Sequence, residues 1–308
     1  MATLFKIIVL LLISGFSFSQ VQTKPVPAFE FLKKYQNVRD FTISKTQDEI
    51  YFSIQSPTEE TAVIAVMKMK KNKWQEPEMT SFSGKFRNIE PFLSPDGLRL
   101  YFASNRPMDD TTTKTKDYDI WYVERKNTTS EWSKPINVGV PVNSKNNEFY
   151  PCVTLNGNLY FTSDAVNTLG KDDILVCKWD GKQFTEPENL GMNINTPGYE
   201  FNAFVSPSED FIIYTCYGRH DGLGSGDLYI SYRNDKGNWD TAKNLGAEVN
   251  SKQMDYCPFY DATTQTLYFT SKRMSLEEKI FSNLKEFETE ISIYENGFSR
   301  IYKCQIKL

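Results

Sequence analysis

Short apolar runs, each bounded by polar turn residues, follow one another along most of this chain. Leu100-Tyr-Phe-Ala-Ser104, Leu159-Tyr-Phe-Thr-Ser163, Ile213-Tyr-Thr-Cys216 and Leu267-Tyr-Phe-Thr-Ser271 are nearly continuous rather than alternating. A strand reads this way when both faces of its sheet are covered. Ahead of each run stands a segment that opens on a polar residue: Asn88-Ile-Glu-Pro-Phe-Leu-Ser94, Glu148-Phe-Tyr-Pro-Cys-Val-Thr154, Glu200-Phe-Asn-Ala-Phe-Val-Ser206 and Asp255-Tyr-Cys-Pro-Phe-Tyr-Asp261. Turns such as Ser94-Pro-Asp-Gly97 and Leu155-Asn-Gly157 join the two as hairpins. Behind each run comes another apolar segment that begins with aspartate: Asp119-Ile-Trp-Tyr-Val123, Asp173-Ile-Leu-Val-Cys177 and Asp227-Leu-Tyr-Ile-Ser231. In chain order these are segments A, B and C of a unit.

A fourth segment, D, completes the unit and shows its period. Trp132-Ser-Lys-Pro-Ile-Asn-Val-Gly139 runs on to Asn143-Ser144, Phe184-Thr-Glu-Pro-Glu-Asn-Leu-Gly191 to Asn195-Thr196, and Trp239-Asp-Thr-Ala-Lys-Asn-Leu-Gly246 to Asn250-Ser251. The aromatic anchors are 52 and 55 positions apart (184 − 132 and 239 − 184), a period that means stacked supersecondary units. Residues 40–77 supply a fainter first unit. The fifth ends at Ser299-Arg-Ile-Tyr-Lys-Cys304, with Arg300 in place of the aspartate and no D segment of its own.

Radially stacked sheets cover each other's faces, and Pro135 and Pro187 suit an outermost strand, where a missing ladder donor is tolerated. The fold class predicted is therefore all-β: a five-bladed β-propeller of four-stranded antiparallel blades. Residues near 22–31 are expected to close the ring by completing the last blade. The long insertion in that blade carries Ser275-Leu-Glu-Glu278, a capping-box pattern, followed by Ile280, Leu284, Phe287 and Ile291 on one helical stripe. This predicts a helix over about 275–290 whose stripe packs on the disk.

The first twenty residues read as a secretory signal, with Lys6, an apolar run Ile7–Ile13 and a cut near Gln20. Residues 21–308 then form one exported domain, periplasmic or secreted, with no later segment able to span a membrane. A formal net charge of −4 without a basic run argues against nucleic acid. The five cysteines are odd in number and lie in apolar strand segments, which reads as buried thiols, with a Cys152–Cys257 bridge as the alternative. Neither a metal nor a cofactor is expected, and the protein should be a monomer.

The runs Leu93-Ser-Pro-Asp-Gly-Leu-Arg-Leu-Tyr-Phe-Ala-Ser-Asn-Arg106 and Tyr118-Asp-Ile-Trp121 resemble the WD40-like β-propeller repeat of TolB-type proteins of Gram-negative envelopes. Related repeats accompany peptidoglycan-associated proteins. The resemblance covers roughly residues 38–273 and resumes at 299. It implies an envelope location and binding of a protein or glycan.

Strand direction places the long B–C loops, the D–A connections and the starts of strands A on one face, the better candidate for binding. Glu148, Glu200 and Asp255 open equivalent A strands and are expected around the channel mouth, either as a cation or glycosidase site or as acceptors for backbone amides. Arg106, Arg219, His220, Lys272 and Arg273 are candidate contacts from the loops. The lone His220 and the Gly222–Gly226 string fit no triad or phosphate loop. Asp119, Asp173 and Asp227 read as turn-fixing acceptors. The predicted function is a non-catalytic binding module for an envelope protein or glycan; the alternatives are a glycan-active enzyme using the acidic trio and a structural partner docking through the helix.

Overall fold

A computed structural model of the protein describes residues 20–109, 112–165 and 168–308. It is a five-bladed β-propeller. Each blade runs A-B-C-D from the axis outward; blade 2, for example, is Asn88–Leu93, Arg99–Ser104, Asp119–Glu124 and Ile136–Asn137. The B and C strands are buried on both faces, with Leu100, Phe102, Ile120, Ile174, Leu228 and Phe269 at zero exposure. That burial is why their sequences run apolar without alternation.

D strands pair for only two residues, such as Trp121 with Asn137 and Tyr122 with Ile136. The ladder is then continued by a side chain. Asn143, Asn195 and Asn250 each accept from the amide of Ile120, Ile174 or Leu228 and donate to the same residue's carbonyl. A second asparagine, at 137, 189 or 244, takes the first one's remaining N–H and donates to the aspartate that opens strand C. The repeated Asn-x-Gly…Asn-Ser/Thr pattern is thus a side-chain extension of the sheet, and the aspartates are acceptors as expected. Asp173 and Asp227 also receive two loop amides each, from Leu169, Gly170, Leu223 and Gly224.

The last blade is closed by the chain's beginning. Gln20–Val21 and Val26–Pro27 pair antiparallel with Arg300–Lys307. This closure also explains Arg300. The incoming segment presents carbonyls, and the buried guanidinium donates to those of Gln36 and Lys33 where blades 2, 3 and 4 have an aspartate receiving donors. The expected leader, residues 1–20, lies outside the described residues except for Gln20.

Two expectations about the insertion are corrected. The helix spans Leu284–Ile291, not 275–290. Asn283 caps it by accepting from the Glu286 amide, and the Glu286 carboxylate takes the Ser282 amide. This second capping box displaces the one at Ser275, and residues before it fold back so that Glu290 binds the Glu277 amide. The stripe does not pack on the disk: Ile280 is 97% exposed, Leu284 69%, Phe287 42% and Ile291 44%. All five cysteines are buried free thiols, so the Cys152–Cys257 bridge is not formed. No helix among the described residues is long and apolar enough to cross a membrane.

Candidate binding site

Every A strand carries a β-bulge near the axis, with a left-handed residue at the same place: Asp40, Glu90, Tyr150, Asn202 and Cys257. A bulge re-aims side chains. The residues just before it (Arg39, Ile89, Phe149, Phe201 and Tyr256) all line a cavity of about 310 Å³ on the propeller axis. B–C and D–A loops complete its wall with Glu59, Arg87, Tyr118, Asp172, Met254 and Lys272. The cavity therefore opens on the face that strand direction singled out.

Its floor is a charged knot. Arg39 pairs with Asp40 at 2.9 Å and Glu90 at 2.7 Å, and its guanidinium lies 5.1 Å over the Tyr256 ring. Glu90 also accepts from the Tyr150 amide and from Asn202. Burial outweighs the nearby arginine and pushes the Glu90 carboxyl up to about 6. Below the knot, Phe259 packs against Phe41, Phe92 and Phe204 and stops the channel.

The wall is less satisfied. The Tyr118 hydroxyl and the Arg87 Nε are buried, without a hydrogen-bond partner, and belong to residues that line the cavity. Across the mouth Lys272 pairs with Glu59 at 3.2 Å. Burial, with Asp164 and Asp173 nearby, pushes Asp172 up to about 6.

Of the eight residues singled out by sequence, only Lys272 lines this cavity. Glu148, Glu200 and Asp255 are fully buried and do not form a ring at the mouth. Each carboxylate follows the second of the two readings and accepts the amide and hydroxyl of the residue four positions back, Ser144, Thr196 or Ser251. Burial pushes Glu148 up to about 7 and raises the other two. Arg106 and Arg273 reach back to Asn88 and Asp255 of their own blades, and Arg219 stacks on Tyr229 at 4.7 Å. His220 is exposed on its loop. The cavity residues were missed by one position: side chains alternate along a strand, so the residue after each acid faces the axis.

No protein-family model matches the chain, and no curated protein matches it in sequence. Solved structures do match in fold. The putative TolB from Agrobacterium tumefaciens is 13% identical with a TM-score of 0.49, covering 77% of this chain and 70% of that one. TolB from Acinetobacter baumannii is 12% identical at 0.47, covering 88% and 56%. TolB propellers are among this chain's structural neighbours. The α-L-arabinofuranosidase PaAbf62A from Podospora anserina, in complex with cellotriose, is 8% identical at 0.55, covering 94% and 95%. Identities this low speak to the fold alone.

Proposed function

We propose that the protein is an exported, non-catalytic binding module that engages an envelope protein or glycan through its B–C face, with the axial cavity as the point of contact. The observation that carries this reading is the pair of buried donors on the cavity wall, Tyr118 Oη and Arg87 Nε, which lack partners. Native structures rarely leave such groups unpaired. A carbonyl or carboxylate of an inserted ligand would satisfy both, and the rings of Phe149 and Phe201 would cover its apolar side. The test is capture from a native envelope extract by wild type, Arg87→Ala and Tyr118→Phe, with folding followed by circular dichroism. A partner held by wild type and lost by both folded variants supports the cavity. Equal capture by all three rejects it.

A second reading, a glycan-active enzyme, is favoured by one observation: Glu90 and Asp172, both pushed up to about 6, line the same cavity. A glycosidase needs a protonated carboxyl beside an ionised one. Glu90, however, is held by Arg39 and the Tyr150 amide, which suits a fixed charge better than a proton donor. The arabinofuranosidase neighbour is similar to this chain in fold only. Oligosaccharide hydrolysis that disappears in Asp172→Asn would establish it over the binding module.

A further inference from the structure

The outer grooves between blades, on the face of the A–B turns and C–D loops, are not all built alike. Between blades 1 and 2, Arg125 lies 4.2 Å over the Trp132 ring and forks onto Glu49 at 3.2 and 2.7 Å, while Trp132 donates to the Tyr51 hydroxyl. Between blades 3 and 4 the same set of groups recurs, with the carboxylate now supplied by the A–B turn of blade 4. Arg233 lies 4.5 Å over Trp239, pairs with Glu209 at 3.2 Å and donates to the Tyr160 hydroxyl. Each groove is thereby braced by an arginine, an aromatic anchor, a carboxylate and a tyrosine.

Between blades 2 and 3 the brace is dismantled at matching positions. Trp179 stands where Arg125 and Arg233 stand, six residues after the aspartate that opens strand C; Arg99 stands where Glu49 stands, two residues before the tyrosine. The result is an open groove of about 830 Å³, in the size range of small-molecule sites. Trp179 is 39% exposed yet firmly seated. It meets Phe184 edge to face at 5.0 Å, its amide donates to Asn158, and its ring lies so close to Gly157 that a Cβ there would stand 3.1 Å away. Tyr101 and Tyr122 face it across the groove, with the Arg99 guanidinium 5.2 Å over the Tyr122 ring and paired with Glu124 at 3.4 Å. Asn137, Lys182 and Gln183 complete the edge.

We infer that this groove is an oligosaccharide-binding site, distinct from the axial cavity and on the opposite face. The ligand class follows from the chemistry. A pyranose ring has an apolar C–H face that covers an aromatic ring and an equatorial girdle of hydroxyls that needs donors and acceptors at the rim. Trp179 and Phe184 supply the first, held without rotamer freedom to lose; Arg99, Glu124, Lys182 and Gln183 supply the second. An apolar peptide side chain would offer that polar edge no hydrogen bonds in exchange for the water it displaces.

The test uses the whole chain, with cellotriose, xylotriose and chitotriose titrated to millimolar concentration. These probes share the pyranose face and differ at C2 and C5. Binding of at least one, read by tryptophan emission and, in every variant, by calorimetry, is expected, with at least about tenfold weakening in Trp179→Ala. The double change Arg99→Glu with Trp179→Arg rebuilds the brace of the 1–2 groove. It should fold with an unchanged or higher melting temperature and bind none of the three. Arg87→Ala, in the axial cavity, should bind them as wild type does, which separates this site from that one. Absence of binding to all three sugars, or wild-type affinity in the rebuilt double variant, overturns the proposal.

Discussion

Single side chains in this molecule often do the work of backbone. Asn195 replaces a strand residue by bonding both the amide and the carbonyl of Ile174. Asn195→Ala leaves both groups buried and unpaired and should cost about 1–3 kcal/mol, read as a lower denaturant midpoint at unchanged slope. Arg300→Asp restores the residue of blades 2, 3 and 4 but points an acid at the carbonyls of Gln36 and Lys33. A loss on the order of 3 kcal/mol is expected, and a neutral outcome would mean that those carbonyls are not what holds the guanidinium. At this scale the sequence was legible in its repeated asparagines and aspartates and in its repeated acids as acceptors for backbone amides, but not in which neighbours of those acids face the axis. Glu148, Glu200 and Asp255 recur because each ties down the turn before it. The axial residues share a position, but only Phe149, Phe201 and Tyr256 share chemistry, and Arg39 and Ile89 break the pattern in the first two blades. The bulge that turns a second ring of residues toward the axis leaves no mark in composition.

Among the elements, the B and C strands were the most legible, because full burial writes itself as unbroken apolar runs. D strands were legible by proline and aromatic anchor, but their two-residue length was not, since the ladder continues through side chains that a strand pattern cannot reveal. The insertion helix illustrates competing signals. Two capping boxes lie ahead of one stripe, and the nearer, Asn283 with Glu286, sets the start. As its apolar residues stay in solvent, Phe287→Ser should change stability by no more than about 0.5 kcal/mol; a larger loss in thermal melting would mean that the stripe is covered in solution. Removing residues 20–27 should be far more damaging, because it bares the strand Arg300–Lys307 as an unprotected edge. Lower melting temperature and aggregation are the expected outcome, and a soluble, equally stable truncation would contradict it.

For the whole molecule, buried acids set the response to pH. Glu148 is raised from 4.5 to about 7, Glu90 to about 6, and Glu200 and Asp255 are raised as well, all chiefly by burial. An acid whose folded value exceeds its unfolded one binds its proton more tightly when folded. Its contribution is therefore complete below the unfolded value and is lost as pH rises through the folded value. Melting temperature should fall between pH 5 and pH 8, and Glu148→Gln, which can still accept from Ser144, should flatten part of that slope. An increase over the same interval would show that these carboxyls are ionised more easily than their burial implies.

Pairing of Gln20 with Lys307 makes the disk a bracelet fastened by two segments far apart in the chain. A chain emerging from one end to the other can complete four blades early, but the clasp must wait for the final strand, after a loop of nearly the full contour has been drawn shut. The same adjacency makes the molecule a natural subject for circular permutation. Linking residue 308 to residue 20 in a chain without residues 1–19, and cutting instead within the turn Asn234–Gly237, would turn the clasp into a covalent link, and that permutant should refold faster than its parent while keeping the same disk.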